Sequence, residues 1–273
     1  MIYNDIKGKT VIITGGSMGI GKGCVKVFCQ AEANVVFCSR NKKTGLETEK
    51  EINDTTKGAS YFYQCDVTKP EEIKEMVAFT ADKFGQIDCI VNNAGYTPTR
   101  RPIDVIEIEE FHDLLKTNLI SVFAGCKYAL PYIRNTKGSI INMSSILGVV
   151  GQEGNSIYAA TKGGIISLTK SLAIDEAQNH VRVNAVLPGH IVTEKYEKKM
   201  KAKPKVTTYP AGKSQWLGEG GLPEDIGYAC LFLASAYSGY ITGAEIYVTG
   251  GFELGNGIRI PRYDLKDQMK FAR

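Results

Sequence analysis

A tyrosine and a lysine four positions apart, Tyr158 and Lys162, form the most chemically informative pattern in this sequence. On a helix this spacing places both side chains on one face, where an ammonium stabilises a phenolate and lowers the pKa of tyrosine from about 10. The spacing occurs three times in the chain, but only Tyr158 falls in a predicted helix (156–177) with a serine, Ser145, at the end of the preceding predicted strand. Open parallel sheets bind ligands at that end, so the pattern predicts a proton-transfer site there.

A glycine-rich loop joins the first predicted strand (10–14) to a predicted amphipathic helix (19–31). Gly15, Gly19 and Gly21 permit a tight turn, a close approach of backbone N–H groups to a pyrophosphate, and close packing of helix on strand. The sequence therefore predicts a dinucleotide site. The predicted contacts in this loop are Gly15, Ser17, Met18, Gly19, Ile20 and Gly21.

The end of the second predicted strand (34–39) distinguishes between the two nicotinamide dinucleotides. An acid there binds the ribose hydroxyl of NAD, whereas an arginine accommodates the 2′-phosphate of NADP. This chain has Ser39 and Arg40, with no acid before Glu47. A guanidinium clasps a phosphate with two hydrogen bonds, so NADP(H) is the expected cofactor, with NAD(H) as the alternative if Arg40 is an ordinary surface charge.

The ends of two further predicted strands carry residues that suit the same dinucleotide site. Asp66 and Val67 end the third predicted strand, where a carboxylate accepts from an adenine amino group or caps the next helix. Asn92 begins the run Asn-Asn-Ala-Gly, in which the amides tie neighbouring strands while Ala94 and Gly95 leave room for a cofactor.

The pattern of short apolar runs predicts the fold class. Seven runs rich in β-branched residues alternate with helical patterns, and the runs are almost continuously apolar, which is typical of strands buried on both faces. We expect an α/β protein, a single Rossmann-type domain over 1–273 with a doubly wound parallel sheet of about seven strands and helices on both faces. The predicted strands are 10–14, 34–39, 59–67, 87–92, 139–144, 181–187 and 244–249.

Composition excludes several classes of protein. The 273 residues amount to about one domain, and 43% apolar with 23% charged residues is ordinary for a globular chain rather than a disordered or fibrous one. No run is long and apolar enough to span a membrane, and no signal peptide is apparent, so a cytoplasmic location is expected. Seven cysteines without a Cys-x-x-Cys motif and three scattered histidines predict reduced core thiols and no metal site.

The segment 194–205 carries six lysines and two glutamates. Arginines and interleaved aromatic residues are scarce in it, so a solvated lid (194–220) is favoured over a nucleic-acid surface. The polar tail 252–273 follows the last predicted strand and is expected on the surface or against a neighbouring subunit.

Taken together, these motifs resemble the short-chain dehydrogenase/reductase family over residues 5 to 251. The order and spacing of the glycine loop, the Asn-Asn-Ala-Gly run, Asn118, Ser145, Tyr158 with Lys162, and Pro188-Gly189 carry the resemblance. It implies an NAD(P)-dependent oxidoreductase that interconverts a secondary alcohol and a ketone, and a homotetramer whose contacts involve 111–130, 158–172 and the last strand.

The resemblance also implies a role for each matching residue. Tyr158 is the general acid/base on the reacting oxygen, Ser145 hydrogen-bonds that oxygen, and Lys162 lowers the pKa of the tyrosine and holds ribose hydroxyls. Asn118 anchors a water that relays protons to Lys162, and Thr193 contacts the nicotinamide amide. The implied cofactor contacts also include Tyr158, Lys162, Pro188, Gly189, Ile191 and Thr193.

Two stretches, 144–152 and 248–255, resemble one branch of the family, the type 14 17β-hydroxysteroid dehydrogenases. The chain departs from that branch at Arg40, at Tyr96 in place of a histidine, and at Tyr196 in place of a lid tryptophan, whereas Gln152 is retained. A hydroxysteroid or similar lipophilic substrate is therefore the first expectation. Small carbonyls or 3-ketoacyl thioesters are the alternative, and a non-catalytic NADP(H)-binding protein is a third. The predicted substrate contacts are Tyr96, Ser145, Gln152, Tyr158 and Tyr196.

Overall fold

The computed structural model describes residues 3–194, 196, 215–217 and 220–254. Most of the predicted lid (194–220) and all but the first three residues of the predicted tail (252–273) lie outside the described residues.

Seven parallel strands form one sheet in the order β3-β2-β1-β4-β5-β6-β7, which confirms the predicted fold class. The chain runs outward from β1 to one edge and then from β4 to the other edge, so the strand order reverses between β1 and β4. The strands are β1 (Thr10–Thr14), β2 (Asn34–Ser39), β3 (Ala59–Gln64), β4 (Cys89–Asn92), β5 (Ser139–Met143), β6 (Arg182–Pro188) and β7 (Glu245–Val248).

Helices cover both faces of the sheet. The helices described are α1 (Gly19–Gln30), α2 (Lys42–Thr55), α3 (Pro70–Phe84), α4 (Ile108–Leu115), α5 (Ser121–Thr136), α6 (Ser156–Glu176) and α7 (Pro223–Ala234). One buried apolar cluster includes residues of α1, α2 and α7 on one side of the strands. A second includes residues of α3, α5 and α6 on the other side. The two cores hold the strands between them and leave their carboxyl ends free to carry loops.

The expectation that all seven strands are buried on both faces is wrong at the two edges. The four central strands β1, β4, β5 and β6 are almost entirely buried, and β2 is buried except at its ends. In β3 only Ser60 is fully buried, and β7 has no fully buried residue. An edge strand has one neighbour instead of two, so less of its surface is covered. The third strand also ends at Gln64 rather than at residue 67.

Close packing of α1 on α7 sets the position of the glycine loop. A Cβ at Gly23 would lie 2.5 Å from the carbonyl carbon of Pro223, so only glycine allows the two helices this approach. The N-terminus of α1 is thereby fixed above the sheet at the switch between β1 and β4.

Candidate functional site

Helix α6 is attached to the end of β5 by two hydrogen bonds. Lys162 Nζ donates to the carbonyl oxygen of Met143 at 2.8 Å, and Ser144 Oγ donates to the carbonyl oxygen of Lys162 at 2.8 Å. Lys162 is buried, and burial lowers the pKa of its ammonium to about 8. Tyr158 lies one turn earlier on the same face, with its ring centre 5.8 Å from Lys162 Nζ.

Burial raises the pKa of Tyr158, and hydrogen bonding to Thr97 and Ser145 lowers it in part, with a net increase from the ordinary value. Lys162 is not among these causes, and the expectation that it lowers the pKa of Tyr158 stays a prediction. The loss of hydration around the tyrosine outweighs the other influences on it.

Asn118 lies in a one-turn π-helix, Lys116–Ile120, between α4 and α5. Its fully buried carboxamide accepts from Tyr96 N and donates to Tyr96 O, both at 3.0 Å. A Cβ at Gly95 would lie 3.1 Å from Asn118 Oδ1 and 3.6 Å from Lys162 Nζ. The structure thus brings Asn118, Ser145, Tyr158 and Lys162 to one place at the carboxyl ends of β4 and β5, and a π-turn is a frequent mark of a functional site.

The glycine loop is tied to the end of β4. Asn93 Nδ2 donates to Thr14 O at 2.8 Å, and Ala94 N donates to Thr14 Oγ1 at 3.0 Å. Gly15 has φ +68°, and a Cβ at Gly21 would lie 2.1 Å from the carbonyl oxygen of Gly15. Glycine is required at these positions because the loop packs closely on itself and on the end of β4.

One backbone N–H group of this loop donates a hydrogen bond to a carboxylate oxygen of the chain itself. Gly19 N, at the start of α1, donates to Glu194 Oε2 at 3.2 Å. The first amides of a helix combine free N–H donors with the positive end of the helix dipole, which is the chemistry that a pyrophosphate requires. The residues of the loop therefore fit a dinucleotide.

The far end of the crevice lies between β2 and β3. Arg40 is exposed, and its charge contributes to lowering the pKa of Asp66. Asp66 Oδ1 accepts from Thr68 N at 3.0 Å and from Thr68 Oγ1 at 2.8 Å, so this carboxylate also organises the turn before α3. The alternative that Asp66 caps the next helix is wrong, because the N-cap of α3 is Lys69 and that helix start has no side-chain cap hydrogen bond.

The other predicted cofactor residues take different positions. Asn92 is buried, and its Nδ2 donates to Asn142 Oδ1 at 2.9 Å, so this amide ties β4 to β5 as the sequence indicates. A Cβ at Gly19 would lie 3.3 Å from Thr193 Cγ2, so Thr193 sits over the phosphate loop. The remaining residues lie along the strand ends and loops. Ser17 and Val67 are buried, Ile20 is half-buried and Met18 is exposed. Ile191 bridges to Gly221, Pro188 ends β6 beside β7, and Gly189 follows it.

A cavity of about 580 Å³ opens beside Thr97. Its wall combines polar and apolar surface, and Tyr96 is the one predicted substrate residue on it. The lining residues are Tyr96, Thr97, Pro98, Thr99, Arg101, Glu110, Asp113 and Ile157. Arg101 forms an ion pair with Glu110, and its backbone N donates to Gly154 O at 3.1 Å.

Two predicted substrate residues lie outside that lining. Gln152 Oε1 accepts from Asn155 Nδ2 at 2.5 Å. These two residues flank Gly154, whose carbonyl oxygen accepts from Arg101 N. The Tyr196 ring packs edge-on against His190, with the ring centres 4.5 Å apart. Sequence reasoning missed Thr97, Thr99, Arg101, Glu110 and Asp113. The one available signal was that a proline-bearing polar segment follows the Asn-Asn-Ala-Gly run directly.

Within the described ranges, no group of three or more histidine, cysteine, aspartate or glutamate side chains is placed to hold a metal ion. The helices in the described part of the chain include none with the length and apolar character needed to cross a membrane.

The family described as Enoyl-(Acyl carrier protein) reductase matches residues 15–253 of this chain. The L-fucose dehydrogenase of Bos taurus is 42% identical over 252 residues, which cover 92% of this chain and 91% of that protein. The 3beta-hydroxysteroid dehydrogenase 1 of Eggerthella lenta is 35% identical over 260 residues, covering 94% of this chain and 98% of that protein.

Among solved structures, the ligand-free aldohexose dehydrogenase of Thermoplasma acidophilum superposes with a TM-score of 0.82 at 30% identity. The match covers 95% of this chain and 100% of that chain. The chain is thus similar along nearly its whole length to dehydrogenases whose names include sugars and a steroid. The resemblance to the type 14 hydroxysteroid branch stays a prediction.

Proposed function

The chain belongs to the short-chain dehydrogenase/reductase family, an oxidoreductase family acting on alcohols and ketones, and we propose that its substrate is a small polyhydroxylated sugar. The proposed reaction oxidises one ring hydroxyl of an aldose, the anomeric one by preference, to the carbonyl of a lactone. The observation that carries this proposal is the set of hydroxyl, guanidinium and carboxylate groups on the wall of the cavity that includes Thr97.

In the proposed mechanism, Tyr158 takes the proton of the substrate hydroxyl as the carbon–hydrogen bond breaks, and returns it in the reverse direction. Ser145 hydrogen-bonds the reacting oxygen. Lys162, whose pKa is about 8, would accept and release protons between Tyr158 and a water held by Asn118. A nicotinamide dinucleotide, when bound, supplies the hydride acceptor or donor. Gly15, Gly19 and Gly21 would hold its pyrophosphate, and Arg40 and Asp66 its adenosine end.

The cavity wall favours a sugar because it offers both donors and acceptors. Thr97 and Thr99 each supply a hydroxyl, Arg101 a guanidinium, and Glu110 and Asp113 carboxylates. Each of these groups can exchange a hydrogen bond to water for one to a substrate hydroxyl. A site that hydrogen-bonds a hydroxyl also discriminates strongly against an analogue that lacks it.

A hydroxysteroid, the substrate class first expected from the sequence, is the second candidate. A relative with that name is 35% identical, and large exposed apolar side chains, Trp216 and Leu217, precede α7. Their exposed fractions, 39% and 88%, leave apolar surface for a lipophilic ligand.

Absorbance at 340 nm with a substrate panel distinguishes these candidates. We expect turnover of L-fucose or another aldose, and little or none of a 3β-hydroxysteroid or, in the reverse direction, a 3-oxoacyl thioester. Each substrate is tested with the phosphorylated and the unphosphorylated cofactor, and the Tyr158→Phe enzyme provides the background. Turnover confined to the steroid would replace the sugar proposal with the second candidate, and turnover confined to the thioester would overturn both.

The Tyr158→Phe change tests the proposed acid/base role. Proton transfer by a positioned side chain contributes about 10²–10⁴-fold, so kcat should fall by that factor while the dissociation constant of the cofactor changes little. Steady-state kinetics and a fluorescence titration of cofactor measure the two quantities. Tyr61→Phe, on edge strand β3, is the matched control and should retain full activity. Undiminished turnover by Tyr158→Phe would contradict the assignment.

NADP(H) is the proposed cofactor, supported by Arg40 at the end of β2 and by the absence of an acid at residues 39 to 46 of the sequence. Arg40→Asp removes a charged donor and adds a negative charge, so NADPH binding should weaken at least about tenfold relative to NADH. Titrations with both cofactors measure the ratio. Lys50→Asp, an equal change of charge on α2, is the control and should leave this ratio unchanged. An unchanged ratio in Arg40→Asp would mean that the phosphate is read elsewhere or is not preferred.

We also infer a homotetramer in the cytoplasm. Ile120 and Phe123 on and before α5 and Tyr247 on β7 expose large apolar surfaces within the segments expected to form contacts. The seven cysteines are all free and buried, which suits a reducing compartment.

Light scattering tests the assembly. The unmodified chain should have the mass of four copies, and Phe123→Glu should reduce that mass because it places a charge in an apolar contact. Leu46→Glu, at an equally exposed position on α2, is the control that should stay assembled. A monomeric unmodified chain would refute the inference.

A further inference from the structure

The helix that follows the glycine loop, α1, has no cap of its own. Its N-cap residue is Met18, whose side chain makes no capping hydrogen bond, and its first turn contains no acidic residue. The first N–H groups of a helix have no acceptor within the helix, and they lie at the positive end of the helix dipole. The N–H group of Gly19, the first residue of α1, therefore needs an acceptor from elsewhere in the chain or from a ligand.

A carboxylate far along the chain supplies this acceptor. Gly19 N donates to Glu194 Oε2 at 3.2 Å. The preceding residue, Thr193, lies against the same glycine, since a Cβ at Gly19 would lie 3.3 Å from Thr193 Cγ2. An acid at the start of a helix stabilises it through both the hydrogen bond and the dipole. Glu194 thus serves as the cap that the sequence of α1 lacks.

The lysines near this carboxylate have acidic partners of their own. Glu194 lines a cavity of about 250 Å³ together with Lys22, Lys26, Glu51 and Glu224. Lys22 Nζ donates to Glu51 Oε2 at 2.8 Å. Lys26 Nζ donates to Glu224 Oε1 at 2.8 Å. With the residues that the structure describes, Glu194 itself forms no ion pair, so its hydrogen bond to the helix start does not follow from a salt bridge nearby.

The segment that carries Glu194 is anchored to the rest of the fold on both sides of that residue. Before it, Val192 N donates to Gly221 O at 2.8 Å, and Gly221 N donates to His190 O at 3.0 Å. After it, the ring of Tyr196 packs edge-on against His190, with the ring centres 4.5 Å apart. These contacts hold the carboxylate close to α1 independently of its hydrogen bond to the helix.

A dinucleotide needs the N–H group that Glu194 occupies. Gly19 is one of the three glycines that would hold the pyrophosphate, because the start of α1 suits an anion. A pyrophosphate oxygen and the Glu194 carboxylate are both negative, so sharing one N–H group would bring two like charges together. Binding of the dinucleotide therefore requires the carboxylate to move away from Gly19.

We propose that Glu194 is an internal competitor of the cofactor pyrophosphate, which caps α1 in the free chain and is displaced when a dinucleotide binds. The inference rests on the dinucleotide site of the proposed function, but not on the choice between NADP(H) and NAD(H) or on the substrate. The chain binds its cofactor more weakly than the glycine loop alone would allow, in proportion to the fraction of molecules in which the helix start is open.

Removal of the competing charge should strengthen cofactor binding, whereas loss of a residue that binds the cofactor would weaken it. Glu194→Gln keeps the shape of the side chain and removes its charge, and Glu194→Ala removes the acceptor as well. A typical helix cap changes an equilibrium constant about fivefold, so the dissociation constant of the bound cofactor should fall about threefold in Glu194→Gln and about fivefold in Glu194→Ala. Fluorescence titrations with NADPH and with NADH measure these constants.

The stability of the free chain provides a second measurement. Because Glu194 caps α1, the unfolding temperature of free Glu194→Ala should fall by roughly 2–4 °C, the shift that the loss of one cap causes in a large domain. Saturating cofactor should abolish the difference, because the carboxylate no longer contacts the helix in the complex. Thermal unfolding with and without cofactor measures both temperatures and shows that each variant is folded.

Glu224→Gln is the matched control. It removes the same charge from the wall of the same cavity, at a residue bonded to Lys26 rather than to the glycine loop, and should leave the dissociation constant nearly unchanged. An equal gain of affinity in Glu224→Gln would overturn the proposal, as would unchanged or weaker binding by both Glu194 variants. A loss of stability that persists at saturating cofactor would also contradict it. Failure of the unmodified chain and of every variant to bind either dinucleotide would instead refute the proposed function.

Discussion

Lys162 carries an amine into the interior, where its Nζ donates to Met143 O at 2.8 Å. The Ser144 hydroxyl bonds the backbone of the same residue, so the end of β5 and the second turn of α6 are joined at one point. Ser145 follows directly on β5 and Tyr158 precedes Lys162 by one turn. Because both ends of the intervening chain are fixed there, the serine, the tyrosine and the lysine stay together without any direct bond between Tyr158 and Lys162.

The same burial governs the electrostatics of the site. It lowers the pKa of Lys162 to about 8 and raises that of Tyr158, so both groups are pushed towards their neutral forms. A neutral amine and a neutral phenol are poor at exchanging protons with a substrate unless the charged state of one is supported. Hydrogen bonding to Thr97 and Ser145 lowers the pKa of Tyr158 and so offsets part of the effect of burial.

The sequence was most informative where a pattern is local. The apolar runs located all seven strands, and the spacing of Ser145, Tyr158 and Lys162 predicted that these three residues lie in one region, because strand ends and helix faces follow from periodicity. The exposure of β3 and β7 depends on strand order, which no local pattern contains. Thr97 and Arg101 were missed because exposed polar residues in a loop look the same whether they face bulk water or a cavity. Their partners, Tyr158 and Gly154, are distant in the chain.

The cost of removing water from the polar residues of the cavity wall bears on which substrates bind. Arg101 and Glu110 form an ion pair that remains partly exposed, with side-chain exposures of 36% and 42%. A rigid hydrocarbon filling the cavity would take water from these charges and from Asp113 and return no hydrogen bonds, which is unfavourable. A sugar returns a hydroxyl for each displaced water, so its binding avoids that cost. The apolar surface of Trp216 and Leu217 lies in another segment, before α7, and does not offset it. In the proposed function, the polar groups that the loop after β4 contributes to the cavity wall would favour a polar substrate for this reason.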